Sequence, residues 1–146
     1  LLNQGKKVFC IAADDNHNRS DDDDPYCDSY GGYTMIAADK LDYESVADAL
    51  KNGMFYASTG SYKQTGPEIL SLEFEDGKLR IKTSPARNIR LMHNRRVCRS
   101  KNAEYGKTVT EAEFDVDMTS KWFRLTVIDE YGYKAYTHAY YIADLL

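Results

Sequence analysis

Asp15 and His17 stand two residues apart in "AADDNH", where a short apolar run over residues 8–13 ends. Along an extended chain that spacing aims both side chains to one face and turns Asp14 and Asn16 to the other. A carboxylate and an imidazole presented together at a strand end are donors for a transition ion, and they suit Zn, Mn and Fe alike. Two donors hold an ion weakly and without fixed geometry. A metal centre at Asp15 and His17 therefore needs ligands from other elements.

The remaining reactive side chains form weaker patterns. Asp21, Asp22, Asp23 and Asp24 follow at once, but a calcium loop starting at Asp21 would need glycine where Tyr26 stands and lacks its distal glutamate. Four adjacent aspartates repel one another, which suits a solvated loop. His93 and His138 have no acidic or thiol neighbour at metal spacing. His93 lies in a basic stretch with Arg87, Arg90, Arg95, Arg96, Arg99 and Lys101. Such a stretch raises nucleic-acid or phosphate binding, yet no nucleic-acid motif surrounds it, and a solvated strand and turn is the simpler expectation. Cys98 sits among these arginines, which favour its thiolate, but no histidine pairs with it in the sequence.

The elements that must position these groups divide the chain in two. Residues 8–13 read as a strand covered on both faces, because the run is continuous rather than alternating. A loop over residues 18–32 follows, punctuated by Pro25 and by Gly31 and Gly32, and then a brief strand over residues 33–38. Asp42 is placed to cap a helix whose Tyr43, Val46, Ala47 and Leu50 form one apolar stripe, with Lys51 in its last turn and Gly53 at its left-handed end. "MFYAST" returns as a strand. After Pro67 the period becomes two. "ILSLEFEDGKLRIKT" reads as a hairpin turning at Asp76 and Gly77, and "NIRLMHN", "EAEFDVDM" and "KWFRLTVIDEYGYKAYTHAYYI" supply further strands. Six or so short strands without a convincing helix predict a small antiparallel sandwich over residues 67–146, behind an incomplete α/β unit over residues 1–66. The class is α+β.

Bulk properties narrow the setting. The chain has 146 residues, 42% of them apolar, and a formal net charge of -4, which is mild and selects no partner. Of its 19 Lys/Arg and 23 Asp/Glu, residues 1–66 carry 6 and 11, leaving 13 and 12 for residues 67–146, so the acidity sits near the opening. Twelve tyrosines favour sheets and half-buried surfaces. Three cysteines, an odd number in no zinc or CxxC spacing, fit a reducing compartment, and a cytoplasmic location is expected. No apolar run is long enough to span a membrane. The start shows no signal-peptide pattern and does not begin with Met, which is expected of a piece processed or cut from a longer chain.

Taken in order, the motifs resemble the C-terminal end of the PHP superfamily, the metal-dependent phosphoesterases named for polymerase and histidinol phosphatase. "AADDNH" is similar to the family's last metal motif, Asp-x-His at the end of a barrel strand. "GGYTMI" and "DYESVADALKNGMFYASTG" resemble the stretch that follows it. "ILSLEFEDGKLRIKTSPARNIRLMHN" and "FRLTVIDEYGYKAYTHAYYI" look like the opening and close of the trailing β-module. "STGSYKQTGPE" carries an insertion relative to the family. Its His-x-His motif and intermediate ligands have no counterpart here.

The resemblance implies the terminal fragment of a PHP-type α/β barrel followed by an antiparallel β-sandwich. It also implies metal-dependent hydrolysis of a small phosphorylated substrate in a full-length parent, with Asp15 and His17 as metal ligands. For want of the missing N-terminal barrel portion, the fragment alone is expected to be inactive, to bind Zn, Mn or Fe weakly if at all, and to self-associate. The alternatives are a β-sandwich binding or structural module without catalysis, with tyrosines 131, 133, 136, 140 and 141 partly facing a partner, and nucleic-acid binding through residues 87–101.

Overall fold

A computed structural model describes residues 1–17, 19–93 and 96–145. Ten strands and one α-helix lie between 3-10 turns at Leu2–Gln4 and Ile142–Asp144. In chain order they are β1 (Gly32–Ile36), α1 (Tyr43–Asn52), β2 (Phe55–Thr59), β3 (Ile69–Glu75), β4 (Lys78–Ala86), β5 (Asn88–His93), β6 (Arg96–Asn102), β7 (Val109–Asp115), β8 (Trp122–Ile128), β9 (Lys134–Tyr136) and β10 (Tyr140–Tyr141). Seven strands form one open sheet in the order β1-β2-β9-β8-β5-β6, with β10 also on β8. The other three form a second sheet, β3-β4-β7.

Alternation along each strand builds the core. On β5 and β8, Ile89, Leu91, Phe123, Leu125 and Val127 point inward, and on β4 and β7 Leu79, Ile81, Ala112 and Phe114 point back at them. One cluster therefore joins both sheets. The β3–β4 hairpin turns at Asp76 and Gly77, whose φ values of 48° and 74° match the two left-handed positions of a type I′ turn.

The expected barrel end is overturned. A PHP-type barrel needs parallel strands, whereas every registered pair here is antiparallel and the sheets are open. β1 and β2 are antiparallel neighbours from Gly32↔Thr59 to Ile36↔Phe55, and β2 continues onto β9, so the sheet runs across the division expected at residue 66. The helix between them makes no crossover. Ala37 N donates to Met54 O at 2.8 Å, so the chain leaves and re-enters the sheet at one point.

The caps of α1 are those the residues dictate. The Asp42 carboxylate accepts from Ser45 N, and Gly53 adopts φ 70°. Much of its apolar stripe stays open to solvent, however, although Val46 and Ala47 are half-buried and α1 touches β1. Tyr43 is 87% exposed, as is nearly all of the neighbouring Leu41, and Leu50 is partly exposed.

Residues 8–13 form no strand. They pass along the outer edge of β1, where the Thr34 hydroxyl takes the place of a ladder. Ala12 N donates to Thr34 Oγ1 at 3.1 Å, and that hydroxyl donates back to Ala12 O at 2.9 Å. With one face on the sheet and the other in water, Ile11 is 65% exposed. No described helix is long and apolar enough to cross a membrane.

Candidate functional site

The outer face of the large sheet follows from register. Phe123, Leu125 and Val127 point to the core, so Trp122, Arg124 and Thr126 point away from it. Met92 lies opposite Arg124, and the Thr126 hydroxyl reaches Met92 Sδ at 3.7 Å. Across this face runs the N-terminal segment. Trp122 Nε1 donates to Asn3 Oδ1 at 3.0 Å, Tyr141 OH donates to Lys6 O at 2.8 Å, and Lys7 pairs with Asp144 at 2.6 Å. Phe9 sets its ring edge against Phe55 and His138, with centroids 5.7 and 5.1 Å away. It also lies over Gly53, where a Cβ would stand 2.6 Å from Phe9 Cε1. Glycine at 53 thus serves two ends: it closes the helix and it admits the ring.

Between this segment and the sheet lies an open groove of about 590 Å³. Its walls are mostly apolar, with Leu2, Val8 and Phe9 on one side and Met92 and Trp122 on the other. Arg124 is its one charged side chain. The residue is half-buried, and its guanidinium has no ion-pair partner among the described residues. Thr137, also in the lining, is already satisfied: its hydroxyl accepts from Leu125 N and donates to His138 O. No family model, curated protein or solved structure matches this chain. Its function is therefore argued from this geometry.

His93, which is buried, and His138, which is half-buried, are both structural. His93 continues the inward row of Ile89 and Leu91 and is 4% exposed, so the expected solvated position is corrected. Its Nε2 accepts from Asp117 N at 3.4 Å, which leaves the proton on Nδ1, where no partner is found among the described residues. Burial holds its pKa below the usual imidazole value, with Asp117 opposing and Arg99 reinforcing. His138 packs between Phe9, Phe55 and Tyr140. Burial lowers its pKa too, against a hydrogen bond with the Phe55 backbone. Burial pushes the Tyr140 hydroxyl up to about 12, so that residue is a core phenol stacked on Phe123.

Asp15 and His17 lie at the rim of the opening loop, both exposed. Asp28 holds His17: its carboxylate accepts from His17 N at 2.9 Å and stands 3.5 Å from the ring Nδ1. Asp14 is a structural pin. Its two oxygens accept from Tyr30 N at 2.6 Å and Gly32 N at 2.5 Å, tying the loop to the start of β1. Among the described residues no three His, Cys, Asp or Glu side chains come together to hold a metal ion. With the barrel also gone, the phosphoesterase reading and the hydrolase and metal-binding class drawn from the resemblance are withdrawn.

The aspartates at 21–24 are exposed and serve local turns, Asp24 Oδ1 accepting from Tyr26 N at 2.7 Å. In the basic stretch, Arg90 is tied to Asn88, while Arg87, Arg99 and Lys101 face solvent. Arg95 lies outside the described residues, as do the side chains of Arg96 and Cys98. A larger hollow of about 750 Å³ lies on the three-stranded sheet, but Arg80 and Glu113 in its lining satisfy each other at 2.9 Å. The groove beside Arg124 is where an unmatched charge meets apolar walls.

Sequence reasoning missed this groove. The alternation of β8 does carry one usable signal. Arg124 stands between Trp122 and Thr126 on the face opposite the core row, a cation in an otherwise uncharged row of that strand.

Proposed function

We propose that this chain is a binding module that does no chemistry of its own, and that it takes a small molecule in the groove between the N-terminal segment and the outer face of the large sheet. The observation that carries this reading is the groove itself: about 590 Å³, walled by aliphatic and aromatic side chains, with one unmatched charge. Small-molecule sites share that volume range and that ratio of apolar wall to sparse polar anchor. The exposed free thiol of Cys10 fits a reducing compartment, and we read the location as cytoplasmic. A neutral apolar dye such as Nile red tests the groove. Trp122 is the chain's one tryptophan and lines the site, so bound dye quenches its emission saturably. Absence of saturable binding, or binding that leaves Trp122 emission untouched, overturns the reading.

A second reading has its own observation, the solvent-facing stripe of α1. A second copy of the chain fits it, because antiparallel pairing of two such helices sets Glu44 near one end against Lys51 near the other. Sedimentation velocity on the chain and on Tyr43→Glu tests it: loss of a concentration-dependent dimer in the variant supports pairing, and a monomer throughout removes it.

A further inference from the structure

We propose that the ligand of this groove is a small organic carboxylate with an apolar body, its carboxylate on Arg124 and its body along Trp122, Met92 and Phe9. The inference rests on the groove reading above and adds the chemistry of the occupant.

Three observations lead to it. Arg124 is half-buried on the sheet face, and no carboxylate of the described chain pairs with it. An arginine keeps its charge throughout the ordinary pH range, so an anion entering the groove meets a cation that no carboxylate of the described chain neutralises. The groove lining holds no Asp or Glu, so an arriving anion meets no repulsion there.

The other polar groups narrow the class further. Asn3 Oδ1 is occupied by Trp122 Nε1, and the Thr137 hydroxyl is occupied on both sides. The Nδ1 of His138 is shielded from solvent and carries no proton when the ring donates its other N–H to the Phe55 backbone, so it offers an anion no donor. The Arg124 guanidinium is the one cationic side chain in the lining, and so the anchor for an anion. Its fork matches the two oxygens of a carboxylate. It cannot balance a phosphate dianion, for which a second cation or a nest of N–H groups would be needed. The apolar walls complete the description: at ~30 Å³ per water the groove displaces roughly 20 waters, room for a chain or ring of comparable size.

The test is a titration of the intact chain with octanoate, octanol, octylamine and octyl phosphate, followed by Trp122 emission. Octanoate is expected to bind about tenfold more tightly than octanol, the increment of one charge-assisted contact. Octylamine is expected to bind more weakly than octanol. Arg124→Gln is expected to bring octanoate down to octanol with the circular dichroism spectrum unchanged. Equal binding of octanoate and octanol by the native chain overturns the anion assignment but leaves the groove standing. A carboxylate preference that survives Arg124→Gln removes Arg124 as the anchor. Tighter binding of octyl phosphate than of octanoate overturns the carboxylate class. If none of the four ligands moves Trp122 emission, the groove reading fails with the inference.

Discussion

Replacing Phe9 with alanine should destabilise the protein by about 2 kcal/mol. Phe9 is 48% exposed, so about half of its surface lies against Phe55, His138 and Gly53. An aromatic side chain offers ~200 Å² for burial, and half of that at ~25 cal/mol per Å² amounts to roughly 2.5 kcal/mol. Residual burial in the unfolded chain trims this to about 2 kcal/mol. Urea denaturation followed by Trp122 emission and far-ultraviolet dichroism measures the change, and with a slope of ~1–3 kcal/mol per M the midpoint should fall by about 1 M. Gly53→Ala provides the second arm. In either background its left-handed backbone costs ~1–2 kcal/mol. In the native background the new Cβ also meets the Phe9 ring, at 2.6 and 2.8 Å from Cε1 and Cζ. That part disappears once Phe9 is alanine, so the two substitutions should couple by ~0.5 kcal/mol or more. Strict additivity, or a Phe9→Ala cost below about 0.5 kcal/mol, would refute the packing of the N-terminal segment on the sheet and with it the wall of the groove.

Three further outcomes are expected. His93 and His138 both have depressed pKa values in the fold, so the unfolded chain binds protons more readily; stability is complete above the ordinary value of 6.5 and declines as pH falls below it, and urea midpoints compared at pH 8 and pH 5.5 should show the loss, reduced in His138→Leu. Asp14→Ala should cost ~1–2 kcal/mol and accelerate amide exchange at Tyr30 and Gly32, the two N–H groups its carboxylate accepts, while Asp15→Ala leaves both amides unchanged. Titration calorimetry with Zn²⁺ or Mn²⁺ should detect only weak binding at Asp15 and His17, abolished by His17→Ala, because two donors fall short of the four that fix a tetrahedral site.

Local chemistry was legible wherever a few neighbouring residues decide the outcome. The Asp42 cap, the Gly53 terminus and the Asp76–Gly77 turn depend on φ, ψ and one side-chain bond each, and the structure has all three. The alternation of β4 and β7 marked the core face for the same reason. What failed needed distant partners. Residues 8–13 have the composition of a strand, but a strand also needs a neighbour that offers a ladder, and here the neighbour offers the Thr34 hydroxyl and the Asp14 carboxylate accepts from the loop. His93 was misplaced because its arginine neighbours outweighed its period; two residues after Leu91 it belongs to the inward row. Arg124 and the groove were out of reach, since the opposite wall comes from residues more than a hundred positions earlier.

That separation has a consequence for synthesis on the ribosome. Residues 3–9 anchor on Trp122, His138, Tyr141 and Asp144, which are made more than a hundred residues later. β2 likewise waits for β9, and β5 for β8. The β3–β4 hairpin can close as it emerges, but the large sheet cannot assemble until β8 and β9 have emerged, and contacts of such long sequence separation form slowly. During that interval the apolar run at 8–11 and the unpaired edges of β1 and β2 are bare together. Nascent chains should therefore be most prone to aggregation, and most in need of a chaperone, in the window before residues 122–145 clear the exit tunnel.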